Sequence, residues 1–406
     1  MKKRFALIAL VLCLTLVVLS PAVAQAQDGL SVLDSWAEAD FPMRMNFNLS
    51  ARSDFDITDI RLCYSVDRTS FADIFTEVSV GFSPATTVDV SFSLEMVMVG
   101  GLPPGSSLDY WWIIEDAGGG QRETEPESVR FDDNRYDWDS LTEGKITLYC
   151  YQDDEDFVNE LMEAAQEALA RLAEDTGAEL EKPAQLYIYT NSSDLQGAMI
   201  HPQEWTGGVA YTRHGIIAIG ISPSIVDWGK RAIAHELAHL VVHQMTLNPY
   251  NDLPTWLDEG LAMYAEGEAE AEFVYSLERA IDNNYLVSVP SLCSPFSAYS
   301  NLATLGYAEG HSLVEYLISS YGQPKMLELL NTFSQGSDYD TVLETVYGFD
   351  MDTLDSLWRD YLTSDYEPPV VEERLHPALI VLLSALAVWM LVVVYLLVRR
   401  RLRRRP

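Results

Sequence analysis

The 406-residue sequence predicts an α+β protein: an N-terminal β-domain, a mixed domain closing in a helical lobe, and one membrane-spanning helix. Three observations carry this. Met43, Met45, Phe47, Leu49 and Ala51 alternate with Arg44, Asn46, Asn48 and Ser50, the period-two pattern of a half-buried strand. Phe157, Leu161, Ala164, Ala165, Leu169 and Leu172 recur at helical spacing. Ala378 to Val398 is an uncharged apolar run, long enough for about 31 Å of helix.

Taken in order, residues 1–27 read as a secretory signal: basic Lys2, Lys3 and Arg4, an apolar Phe5–Leu19, then small residues around Ala22–Ala26. Residues 28–140 read as all-β. Looser alternation marks Ile57 to Val66, Val78 to Phe82, Thr86 to Met98 and Leu108 to Glu115, with turns at Leu102-Pro103-Pro104-Gly105 and Gly118-Gly119-Gly120. The pattern resembles a small fibronectin-like or immunoglobulin-like sandwich, a resemblance of fold that assigns no chemistry and is expected to act as spacer or packing partner. Cys63, Cys150 and Cys293 remain once the leader is removed. Outside the cell two of them could pair, and their spacing matches no zinc or redox motif.

Residues 141–363 form the second unit. Ile146–Tyr151 and Gln185–Thr190 are expected strands flanking a helix over Asp154–Glu174, and Val209–Tyr211 with Ile216–Ile221 reads as a hairpin turning through Arg213-His214-Gly215. A helix follows, with Ser224 its expected N-cap and Gly229 a weak point near its start. It holds His235-Glu236-Leu237-Ala238-His239, the pattern H-E-x-x-H. Four residues apart on a helix, His235 and His239 project from one face and can share a Zn²⁺, while Glu236 can act on its water. A catalytic zinc takes three protein ligands, so a third is required. His243 is a poor candidate, because it lies eight residues beyond His235 on the same helix, about 12 Å along the axis.

The stretch Trp256-Leu257-Asp258-Glu259-Gly260-Leu261-Ala262 is similar to the W-L-N-E-G-F-A string of aminopeptidase-N-like enzymes. Nineteen residues separate His239 from Glu259, the spacing of thermolysin-like enzymes. The chain thus resembles the gluzincin zinc metallopeptidases, and specifically their peptidase MA-like branch. The resemblance implies Glu259 as third zinc ligand, Glu236 as general base, and the hairpin as an edge strand for an extended substrate. The segment Tyr307-Ala308-Glu309-Gly310 is similar to Y-x-K-G of the same group, which implies Tyr307 as oxyanion donor, with His311 a second candidate and Glu309 in place of the Lys. The G-x-M-x-N amine-holding motif of the aminopeptidases is missing.

Helices are expected around Pro324–Phe333, Asp340–Val346 and Met351–Thr363, then a stalk at 364–377, the span at 378–398 and a basic tail at 399–406. Six arginines in that tail keep it cytoplasmic under the positive-inside rule, so the catalytic domain faces outward from a single-pass anchor in the cell membrane. With leader and tail cations set aside, the exported part carries a formal charge of about −44, which repels nucleic acid and anionic headgroups. The expected partner is a peptide or protein substrate; oligomeric state and cleavage position are not encoded in any motif. A different class of reading is a cell-surface adhesion or binding protein with a vestigial or structural zinc site; a purely structural site would have no use for Glu236.

Overall fold

The computed structural model describes residues 29–202, 206–297, 299–364, 366 and 368. The expected leader, span and basic tail, and most of the expected stalk, lie outside them. Among the described residues no helix is long and apolar enough to cross a membrane. The architecture is mixed α+β, β-rich at the N-terminus and helical towards the C-terminus.

Strands β1 (Ser31–Asp40), β2 (Arg44–Val66), β3 (Thr76–Ser79), β4 (Ala85–Glu95), β5 (Ser106–Asp116), β6 (Gln121–Glu123) and β7 (Glu127–Phe131) form one seven-stranded antiparallel sheet. Sequence alternation breaks β2 into two expected strands, but the chain runs through as one. Extended, its 23 residues would reach about 75 Å. Instead Phe47 and Tyr64, on the same strand, stack at 6.2 Å, and Phe47 also meets Tyr110 of β5 at 5.1 Å. The strand therefore folds back on itself, and its register with β4 slips between Arg52 and Ile57. Beside the bend, the buried Ser53 hydroxyl donates to Asp116, which also accepts the Gly118 and Gly120 amides. Two facing layers thus arise from one sheet folded over its own core.

A second sheet holds β8 (Asp139–Glu143), β9 (Ile146–Cys150), β10 (Ala184–Tyr189), β11 (Gly208–Tyr211) and β12 (Ile216–Gly220) in the order β11-β12-β10-β9-β8. Its three central strands are parallel and its two outer ones antiparallel. Parallel strands need both faces covered. Helix α1 (Glu155–Thr176), capped by Asp154 through the Phe157 amide at 3.1 Å, covers one face together with α2 (Val226–Thr246). The other face is covered by the β-domain: Tyr187, Tyr189, Ile216 and Ala218 share its core, with Val209 and Tyr211 packed alongside. Asp133 locks this junction, accepting from Arg135 at 2.7 and 2.8 Å and from the Tyr189 hydroxyl at 2.9 Å. The β-domain is a packing partner of the sheet.

Further along come α3 (Thr255–Ala265), α4 (Ala271–Asp282), α5 (Ser300–Tyr321), α6 (Gln323–Phe333), α7 (Tyr339–Tyr347) and α8 (Met351–Ser364). The chain divides into two compact units. One comprises the described residues up to Leu253 with Ile318–Gly348, the other Pro254–Leu317 with the described residues from Phe349. Cys63 and Cys150 are buried free thiols, so neither pairs with the other or with Cys293. Burial pushes the Cys63 thiol up to about 11.

Candidate metal centre

In the first unit the chemistry sits on α2. The expected Ser224 cap is not used. A 3-10 turn, Pro223–Ile225, precedes the helix, and Ile225 at the cap position offers no side-chain bond. Pro223 starts that turn early because its fixed φ and missing N–H suit a first helical position. The Ser222 and Ser224 hydroxyls pair with each other at 2.8 Å. Gly229 has a packing reason, since a Cβ there would lie 2.4 Å from the Ile221 side chain at the end of β12. Ile233, Ala234, Leu237, Ala238, Val241 and Val242 bury the helix's inner side, leaving His235, Glu236 and His239 half-buried on the adjacent one.

The two imidazoles face each other, their Nε2 atoms 3.2 Å apart. Nitrogens about 2.1 Å from a common ion at that separation would subtend roughly 100°, close to tetrahedral. The pair therefore fits a zinc ion. His243 lies one turn on, its ring 6.4 Å from that of His239. The Glu236 carboxylate rests against Gly208 of β11, where a Cβ would come within 2.8 Å of Oε1. The hairpin forms as expected: β11 pairs antiparallel with β12, and the turn closes at Gly215 with φ +68°. Among the described residues, β11 pairs on its other side with no strand.

In the second unit, Glu259 is half-buried on α3, and Tyr307 half-buried on α5. The two helices cross with backbone against backbone. A Cβ at Gly260 would lie 2.4 Å from the Gly310 carbonyl oxygen, and one at Gly310 would lie 2.9 Å from that of Trp256. This crossing places Glu259 and Tyr307 on two helices held in fixed rotation. Phe296 packs over Gly306 and meets Tyr307 edge-on at 5.1 Å. His311 lies 6.1 Å from the Tyr264 ring.

Glu309 is fully buried. It accepts the Val287 amide at 3.0 Å, and desolvation pushes its carboxyl up to about 8. Arg359 donates to the carbonyls of Leu286 and Val287 and to Asp355, which in turn accepts the Val289 amide. The residue standing where the similar enzymes have Lys thus pins the segment 286–289 to α5. Sequence reading missed this role and the helix crossing; glycines inside two helical stretches were the available signal.

Residues 164–364 match the family described as the Peptidase MA superfamily. No curated protein matches the chain. Partial likenesses among solved structures include a β-1,3-glucan binding domain of carbohydrate-binding module family 56, with TM-score 0.16, 14% identity, and 24% of this chain and 96% of that one covered. Spo0M, a sporulation control protein from Bacillus subtilis, gives 0.15, 12%, 34% and 55%. A β-glucuronidase of Bifidobacterium dentium complexed with coumarin-3-O-glucuronide gives 0.20, 9%, 53% and 35%. At these scores the likenesses carry no argument.

Proposed function

We propose that residues 164–364, which belong to the peptidase MA superfamily, hydrolyse peptide bonds with a zinc ion held by His235, His239 and Glu259. The observation that carries this reading is the facing pair of Nε2 atoms on α2, with Glu236 between the two histidines in sequence and set against the edge strand β11. A second reading would take His239, His243 and Asp258 as the donors. The His239-to-Glu259 spacing favours the first.

Bound zinc would supply the electrophile that acidifies water and polarises a carbonyl. Strand β11 offers its free backbone edge to an extended peptide and so orients it. Glu236 takes the proton of the attacking water and returns it to the leaving amine. Tyr307 donates a hydrogen bond to the oxygen on which charge develops. The second part of the proposal is topological: the domain is exported and held at the cell membrane by the span at 378–398, with the arginine tail inside. Protease added outside permeable-walled cells should remove the bulk of the chain and spare the tail; protection of the bulk sinks this arrangement.

Glu236→Gln tests the chemistry. The variant should keep about one zinc per chain while hydrolysis of a denatured protein falls by about 10² to 10⁴-fold. Loss of the metal would instead make Glu236 structural, and a zinc-loaded wild type that cuts nothing would remove the peptidase reading.

A further inference from the structure

We propose that the β-domain binds a neutral saccharide, in the cavity between the loop 67–75 and the outward face of strands β2, β5 and β7. The site is separate from the metal centre and stands whatever reaction occurs there. Its floor follows from strand alternation. Leu108, Tyr110 and Trp112 of β5 are buried in the core, so Ser107, Asp109 and Trp111 turn outward. Asp109 lies opposite Ser65 of β2 on one side and Ser128 of β7 on the other, which sets three polar side chains in a row across the sheet. The Ser128 hydroxyl donates to Asp109. The loop forms the wall and is held in place. The Asp67 amide donates to the Ser107 carbonyl at 2.9 Å, and the Thr69 amide to the Arg213 carbonyl at 2.7 Å. The Thr69 hydroxyl accepts from Lys182 at 3.2 Å. At the loop's far end the Phe75 ring stands 5.2 Å from that of Trp111, tilted by 54°, and the two make an aromatic corner. The cavity measures about 510 Å³, within the range of small-ligand sites.

The lining combines that corner with unmet polar groups. Among the described residues, the Ser65 and Ser107 hydroxyls, the Asp67 and Asp73 carboxylates and the Arg68 guanidinium have no hydrogen-bond or ion-pair partner. Donors and acceptors thus alternate around one space, and Phe75 beside them is 54% exposed. A saccharide answers both features. Each ring hydroxyl donates and accepts at once, and the C–H face of the ring covers aromatic surface. An apolar ligand would strip water from the polar groups and leave them unpaired. An anion would meet the carboxylates of Asp67, Asp73 and Asp109 against a single guanidinium. A basic side chain would pair with those carboxylates, but Arg68 repels it and gains no acceptor from it. The neutral polyhydroxy ligand is the one that uses every group.

Calorimetric titration of the full chain with neutral oligosaccharides of glucose, galactose, mannose and N-acetylglucosamine, and separately with an oligolysine peptide, tests the site. At least one saccharide should bind, with an affinity that added salt leaves unchanged. Trp111→Ala should weaken it about ten-fold or more. Asp73→Ala, on the exposed loop, should weaken it about ten-fold and keeps the test decisive should Trp111→Ala misfold. Glu236→Gln should bind the saccharide as wild type does, and Asp73→Ala should hydrolyse a denatured, sugar-free protein as wild type does. Absence of saccharide binding overturns the proposal, as does binding that either folded cavity variant leaves intact. Binding of oligolysine alone, weakening as salt is added, would make the cavity a cation site instead. Saccharide binding lost in Glu236→Gln would place the sugar at the metal centre and overturn the cavity assignment. A wild type that cuts nothing yet binds the sugar would remove the peptidase reading and leave this site standing.

Discussion

Helix α2 rests on its sheet through side chains, whereas α3 and α5 touch through bare backbone. At Gly229 the near atoms belong to the buried side chain of Ile221, which can shift more readily than backbone. At Gly260 they belong to the Gly310 carbonyl, which cannot move without its helix. The first arrangement tolerates small errors of fit. The second fixes rotation tightly and tolerates none. The H-E-x-x-H residues lie on the forgiving helix, and Glu259 and Tyr307 on the unforgiving pair.

The largest expected effect is on metal retention. Glu259→Ala should lose zinc on dialysis, its affinity down about 100-fold or more, while His243→Ala keeps the ion and its activity. Zinc counted in both proteins, after circular dichroism shows them folded, decides the matter. If His243→Ala loses zinc and Glu259→Ala retains it, the site needs α2 alone and the contrast drawn above has no functional meaning.

Stability should separate the two contacts next. Gly260→Ala gains helix propensity but drives a methyl into backbone, and a net loss of about 3 kcal/mol is expected. Gly229→Ala meets the buried Ile221 side chain rather than backbone, and a smaller loss of about 1 to 2 kcal/mol is expected. Denaturant unfolding of both variants measures the difference; equal losses would mean that the crossing can slide.

Glu309 gives the sharpest signature, a dependence on pH. Burial holds its carboxyl near 8 against an ordinary 4.5, so the folded chain keeps a proton that the unfolded chain releases. Its contribution is complete below about pH 4.5 and is lost as pH rises towards about 8, a change of at most a few kcal/mol. Glu309→Gln should remove this part of the slope. Melting curves of variant and wild type between pH 5 and 8.5 should diverge as pH rises, with the variant holding up better; parallel curves would show that the carboxyl is ionised in place.

How far the sequence reveals these features depends on what each one leaves in the pattern. Helix α2 was legible because the H-E-x-x-H pattern lies within a run of apolar residues at helical spacing. The β-domain was legible at Met45, Phe47, Leu49 and Ala51, all buried. Strand β1 left no trace: its burial alternates only between exposed and half-buried, and Val32 followed at once by Leu33 breaks the period of two. The fold in β2 was hidden for another reason. Alternation lapses around Arg52–Asp56, which reads as a gap between strands, while the backbone remains extended through it. Glu309 was illegible because a buried acid and a surface acid are the same letter, and only Val287 and Arg359, brought in from elsewhere, tell them apart.

The open edge of β11 also bears on how the protein behaves in company. Among the described residues β11 has an unpaired edge, and such an edge can recruit any extended chain, copies of its own included. What stands against self-pairing is charge: the chain carries a formal −35, so two copies approaching edge to edge repel one another. That repulsion is screened beyond about 8 Å at physiological ionic strength, so it acts late in an encounter and weakens in brine. The acidity thereby works as a colloidal guard on that edge.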